Sequence, residues 1–160
     1  MRKGFFIFTK TRAFMESFNV KAEIRWADLD PNCHVLHSKY YDLGAFCRMA
    51  FLVENGLTPQ LMKEHHIGPI IFREECFFKR EINFGDDITI NLKLSKITSD
   101  FSRWSMEHEI WKNSETLAAT MNIDAAWMDT QKRKLTIPPQ IVKNIFEATP
   151  KSSNFSMIIK

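Results

Sequence analysis

Cysteine is scarce in this chain of 160 residues, and what there is excludes two common frameworks. Cys33, Cys47 and Cys76 are odd in number and widely spaced, with no CxxC pair among them. That is neither a zinc-ligand pattern nor a disulfide scaffold, and it fits a reducing, cytoplasmic compartment. A long apolar run is missing too, so no membrane-spanning helix of about 20 residues is expected. The apolar opening Phe5-Phe6-Ile7-Phe8 stops at Thr9-Lys10-Thr11-Arg12, too early for a secretory segment. The formal net charge is only +3, without the dense basic stripe of a nucleic-acid binder. There is no internal repeat, low-complexity stretch or linker.

What is present suits one domain with a real core: 44% hydrophobic and 26% charged residues. Fourteen Phe and four Trp predict an aromatic-rich core, or apolar surface covered by a second subunit. Residues 1–16 read as an N-terminal extension, with Met15 an alternative start to Met1. Residues 17–140 read as the domain. Residues 141–160 read as a tail with one short apolar pattern, Ile141, Ile145 and Phe146, and then a polar end.

Several segments alternate with a period of two, which predicts strands buried on one face. Residues 18–26 set Phe18, Val20, Ala22, Ile24 and Trp26 against polar neighbours. Residues 88–95, 103–111 and 117–127 do the same, 103–111 with Trp104, Met106, His108 and Ile110 on one side. Residues 70–82 are strand-like but impure. Glu74 shares a face with Phe72, Cys76 and Phe78, which marks a bulge or a functional position. Between Ser38 and Asn55 the period of two disappears, and from Leu43 to Val53 only Arg48 is charged. A helix apolar nearly all round must be buried on most sides, which a sheet curling around it achieves. A short second helix starts at Thr58-Pro59, a capping residue followed by proline. The class is therefore α+β, a long central helix wrapped by a curved antiparallel sheet of about five strands.

The chemistry-bearing stretch joins the first strand to the long helix. Arg25-Trp26-Ala27-Asp28-Leu29-Asp30-Pro31-Asn32-Cys33-His34-Val35-Leu36-His37-Ser38-Lys39-Tyr40 gathers two Asp, two His, an Asn, a Cys and a Tyr around a helix start. A helix N-terminus offers unpaired N–H groups and partial positive charge. A carboxylate beside it can act on a carbonyl whose oxygen such groups hold, which suits acyl transfer. The same residues also make a good turn, since Asp and Asn bond their own backbone. Cys33 beside His34 invites a thiol nucleophile, but adjacency in sequence supplies neither base nor orienting group.

This stretch resembles the D-x-D-x-x-G-H-V-x-x-x-x-Y signature of the 4-hydroxybenzoyl-CoA thioesterase family of hotdog proteins. Gly56-Leu57-Thr58-Pro59, Ile67-Gly68-Pro69-Ile70-Ile71, Phe84-Gly85-Asp86-Asp87-Ile88, His108-Glu109-Ile110-Trp111, Leu117-Ala118-Ala119 and Leu135-Thr136-Ile137-Pro138 extend the likeness over residues 18 to 140. The resemblance implies hydrolysis of an acyl-CoA thioester, with Asp30 as nucleophile or general base and the backbone N–H of Gly68 polarising the carbonyl. It implies substrate-binding roles for His34, His37 and Tyr40, no metal, and no cofactor beyond the coenzyme A of the substrate. It further implies a homodimer or homotetramer with each site built across an interface, and phosphates meeting surface Lys or Arg. Three positions depart from the family: Cys33 stands where Gly is usual, Leu36-His37 replaces Asn-Asn, and Ala45 occupies the place of a helix Glu found in many relatives. Two alternatives remain at this stage, a non-catalytic acyl-CoA or lipid-binding protein and an acyl-thioester hydratase or dehydratase on the same fold.

Overall fold

A computed structural model describes residues 15–160. The extension expected over residues 1–16 lies almost wholly outside the described residues. Met15 is already tied down: its N–H donates to Ala148 O at 3.3 Å, and its side chain packs on the core.

The elements run β1 Asn19–Ala22, a single 3-10 turn Trp26–Asp28, α1 His37–Glu54, α2 Pro59–Glu64, β2 Ile67–Phe78, β3 Ile88–Asn91, β4 Lys93–Thr98, β5 Arg103–Lys112, β6 Thr116–Asp129, β7 Lys134–Leu135, α3 Gln140–Ala148 and β8 Lys151–Ile158. They form one curled sheet of eight strands. Strand β5 lies at its centre, with β3 and β4 along one side and β6 along the other. On the far side of β3 and β4 run β1, antiparallel, and β8, parallel. At the opposite edge β2 pairs with β6. Among the described residues it pairs with no other strand.

Eight strands replace the expected five or so for identifiable reasons. The segment 88–95 is broken at Leu92, whose N–H turns aside to Phe18 O at 3.3 Å, so one strand becomes β3 and β4. The segment 18–26 leaves the sheet after Ala22, because Arg25 and Asp28 bond each other and close a turn. The segment 141–160, read as a tail, is built into the fold. Helix α3 buries Val142, Ile145 and Phe146, with Phe146 edge-on to Trp104 and Trp127 at 5.4 and 5.7 Å. Strand β8 then extends the sheet along β4. Its mostly polar sequence hid it, since an edge strand needs few apolar residues.

Helix α1 starts and ends within a residue of expectation, but its burial differs. Tyr40, Gly44, Cys47, Phe51 and Leu52 face the sheet and are buried, while Phe46, Met49 and Val53 are exposed. One chain covers only one side of this helix and leaves an apolar stripe on the other. Gly44 permits the close approach: a Cβ there would meet Met121 Sδ at 2.6 Å. The core between helix and sheet is the alternating set that the strands predicted, including Ile88, Ile90, Met106, Ile110, Met121 and Ile123.

Candidate active site

The two aspartates of the D-x-D pair take opposite roles. Asp28 is buried. It accepts from Arg25 Nε at 3.1 Å, Nη2 at 2.7 Å and backbone N–H at 3.0 Å, with Lys39 Nζ 3.8 Å away. Hydrogen bonding to Arg25 holds its carboxyl down at about 2. Asp30 is half-buried in the loop. Its Oδ1 accepts from the backbone N–H groups of Asn32 and His34 at 2.8 and 3.1 Å. The Asp30 N–H donates to His34 O at 2.7 Å, and Cys33 N–H donates to Asp30 O at 2.9 Å. Oδ2 has no hydrogen-bond partner among the described residues. The carboxylate is thus oriented through one oxygen and free at the other.

Cys33 is exposed and has φ 65°, in the left-handed region that glycine adopts without cost. That explains why glycine suits this position, and the turn keeps its shape here with a cysteine. No hydrogen bond joins Cys33 to His34 among the described residues. Burial pushes Cys76 up to about 11 and Cys47 to about 12, so neither is a thiolate near neutral pH.

His34 is half-buried and pairs through its backbone with Asn83, while Val35 N–H donates to Ile82 O at 2.9 Å. These bonds fasten the Asp30 loop to the chain that follows β2. His37 opens α1 and is exposed. Tyr40, expected to touch substrate, is buried with its ring edge-on to Phe78 at 4.9 Å, and burial raises its hydroxyl above the ordinary value. Trp26 and Phe84, both exposed, form an edge-on pair at 5.8 Å beside the same loop.

Gly68 is at the other end of the sheet. It pairs with Met128 near the end of β6, whereas Phe78 pairs with Ala119 near its start. Ten strand residues span roughly 33 Å at about 3.3 Å each. The Asp30 loop sits at the Phe78 end, so a single chain does not bring Asp30 and Gly68 together.

A feature that the sequence only hinted at is a buried polar network under α1. Arg48 is 8% exposed. Its Nη2 lies 2.9 Å from Glu74 Oε1 on β2, and its Nη1 lies 3.3 Å from His108 Nε2. His108 Nδ1 is 2.7 Å from Asn91 O. A carbonyl oxygen only accepts, so Nδ1 carries the proton and Nε2 accepts from Arg48. Burial drives His108 down to about 3, which keeps it neutral. The signals in sequence were Arg48, the lone charge between Leu43 and Val53, and Glu74, the residue out of pattern. The irregularity itself falls between Ile71 and Arg73.

A cavity of about 520 Å³ lies beside Asp28, between the β1 exit and α1, lined by Lys21, Ile24, Arg25, Lys39, Leu43 and Phe46 among others; Asp30 does not line it. Among the described residues no group of three His, Cys, Asp or Glu side chains is placed to hold a metal. No helix among them is long and apolar enough to cross a membrane.

Residues 24–145 match the thioesterase-like superfamily. The chain belongs to that superfamily. Its class of chemistry is thioester hydrolysis. No protein with a curated description matches the sequence. Thioesterase-like folds recur among solved structures. The SAV2348 protein of Staphylococcus aureus, solved in complex with CoA, is 16% identical, with 88% of this chain and 90% of that one covered and a TM-score of 0.77. The PA5185 protein of Pseudomonas aeruginosa is 18% identical over 84% and 92%, with a TM-score of 0.76. Slr0204 of Synechocystis, a 1,4-dihydroxy-2-naphthoyl-CoA thioesterase, is 17% identical over 81% and 95%, with a TM-score of 0.73. At these identities the likeness is one of fold.

Proposed function

We propose that this thioesterase-like protein hydrolyses an acyl-CoA thioester to the free acid and CoA, with Asp30 as the reacting carboxylate. The observation that carries the reading is the Asp30 loop: one carboxylate oxygen is held by two backbone N–H groups and the other is left open, beside the start of α1. Such a carboxylate attacks the thioester carbonyl, or takes the proton of an attacking water. The oxyanion needs a preorganised N–H donor, and Gly68 is the candidate, with no side chain to block approach.

The separation along β2 makes this a two-subunit proposal. Among the described residues strand β2 has one unpaired edge, and it exposes Ile71, Phe72, Phe77 and Phe78, the kind of edge that seeks a partner. A second copy adding its own β2 antiparallel along that edge brings the partner subunit's Gly68 toward this chain's Asp30, and the reverse at the other site. A homodimer is thus the smallest active unit. The exposed stripe on α1 supports burial against further protein. The CoA end has a candidate too. Lys132, Arg133 and Lys134 are exposed at the turn into β7, and that turn is fixed to the entry of β2 by Thr130 N–H donating to His66 O at 2.8 Å. Arg133 and Lys134 have no ion-pair partner among the described residues, which leaves them for phosphates.

The test is thiol release from a panel of acyl-CoAs, with wild type and Asp30→Asn side by side. Turnover that collapses in a folded Asp30→Asn protein supports the assignment. Unchanged turnover sinks Asp30 but keeps the enzyme. Binding without turnover moves the protein to the acyl-CoA-binding class. Co-expressing Asp30→Asn chains with Gly68→Pro chains checks the shared site. Random pairing makes half the dimers mixed, each with one whole site, so on the order of a quarter of wild-type activity should return.

A further inference from the structure

We infer that the open edge of β8 is a docking edge and that its occupant is this chain's own residues 5–8, added antiparallel as the outermost strand. Those residues lie outside the described ones. The edge itself, and the point at which the chain enters the fold, favour them over any other occupant.

Strand β8 pairs with β4 and, among the described residues, with no other strand. Ser99 N–H donates to Ile158 O at 2.8 Å, so the backbone of Ile158 faces β4. Alternation along the strand turns the N–H and C=O of Met157 the other way, out from the sheet. The side chains of Met157, Ile158 and Ile159 are exposed, the last at 89%. Between Lys151 and Lys160 there is neither a charge nor a proline, the devices that usually guard an open edge. At the other side of the sheet β2 is open as well. Copies added to both edges would continue one sheet from chain to chain, an assembly that does not close. A strand from the same chain ends the sheet at β8.

Direction and reach agree. Strand β1 is antiparallel to β3, and β8 is parallel to β4. Both therefore run away from the break at Leu92, end to end along one side of the β3–β4 line. Phe18 O accepts from Leu92 N–H at 3.3 Å, and Met15 N–H donates to Ala148 O, three residues before β8 begins. A chain arriving at Met15 in line with β1 comes along β8, antiparallel to it. Residues 5–8 precede Met15 by seven to ten positions, roughly 23–33 Å of extended chain. Residues 157–159 follow Lys151 by six to eight positions, roughly 20–26 Å. The apolar run thus has the length to meet the apolar end of the strand. Phe5-Phe6-Ile7-Phe8-Thr9 are strand-forming residue types. Lys10 and Arg12 would give the new edge the charges that β8 lacks.

The experiment is site-resolved amide hydrogen exchange on the full chain, wild type against Phe5→Ser/Phe6→Ser/Ile7→Ser/Phe8→Ser, at two protein concentrations. Met157 N–H should exchange at least about tenfold more slowly in wild type than in the variant, at either concentration. Ile158 N–H, on the β4 side, should be protected alike in both and serves as the control. Equal exchange of Met157 N–H in the two proteins overturns the inference. Protection that fades when wild type is diluted assigns the edge to a second copy and overturns it as well. Should the quadruple variant aggregate, the chain beginning at Met15 takes its place and is read the same way. None of these readouts involves turnover, so they stand whether or not the protein hydrolyses a thioester.

Discussion

Asp28 and Asp30 are two residues apart in one turn, and the protein uses them in contrary ways. Asp28 spends both oxygens on Arg25 and is buried. Asp30 spends one oxygen on two backbone amides and keeps the other open. A carboxylate satisfied by a guanidinium has little left for chemistry; one satisfied by its own loop is aimed and still reactive. The difference arises from where the chain bends. Arg25 reaches Asp28 because a 3-10 turn sets them three apart, while Pro31 and Asn32 turn the loop around Asp30.

The contrast can be broken by exchanging losses. Asp30→Asn should cost roughly a hundred- to thousandfold in kcat with thermal stability nearly intact, because an amide oxygen still accepts from Asn32 and His34. Asp28→Asn should leave kcat per folded molecule within a few-fold. Should Asp28→Asn prove the catalytically dead variant, the roles are reversed. Buried His108 sharpens the comparison as a base that folding keeps neutral. Its folded value is about 3 against an ordinary 6.5, so the unfolded chain binds a proton first as pH falls. Stability from this group is complete above 6.5 and is lost toward 3, with a slope of at most about 1.4 kcal/mol per pH unit. Equilibrium denaturation at several pH values should show that slope in wild type and a flatter line in His108→Gln. Smallest is the melting shift of Asp28→Asn, on the order of 2–4 °C at neutral pH. Asp28 has a depressed value, about 2 against 3.8, so its contribution is present above 3.8 and fades as pH falls to 2. The variant's deficit in Tm should therefore shrink across that window, and a deficit independent of pH would discount the ion pair as its source.

Much of the fold was legible because it follows from period. The alternation in residues 103–111 and 117–127 marked β5 and β6, and the loss of alternation after Ser38 marked α1. What period cannot show is where a strand breaks or which polar segment finds an edge, so the interruption at Leu92 and the strand Lys151–Ile158 were missed. The candidate site was legible at Asp30, whose surroundings are local in sequence. It was not legible at Gly68, which resemblance set beside Asp30 and which the length of β2 sets apart within one chain. Nor could sequence join Arg48, Glu74 and His108, which come from three elements and meet only under the helix.

Strand β8 lies parallel to β4, yet some fifty residues and three intervening strands separate them in the chain. During synthesis β4 therefore emerges with an open edge and waits for β5, β6, β7 and α3 to be made before that edge is covered. A nascent chain paused in this interval exposes Leu94 and Ile97 on a strand able to pair with a stranger. The tempo of translation between the two strands, and the chaperones that meet the chain there, thus bear on how much of it reaches the folded state.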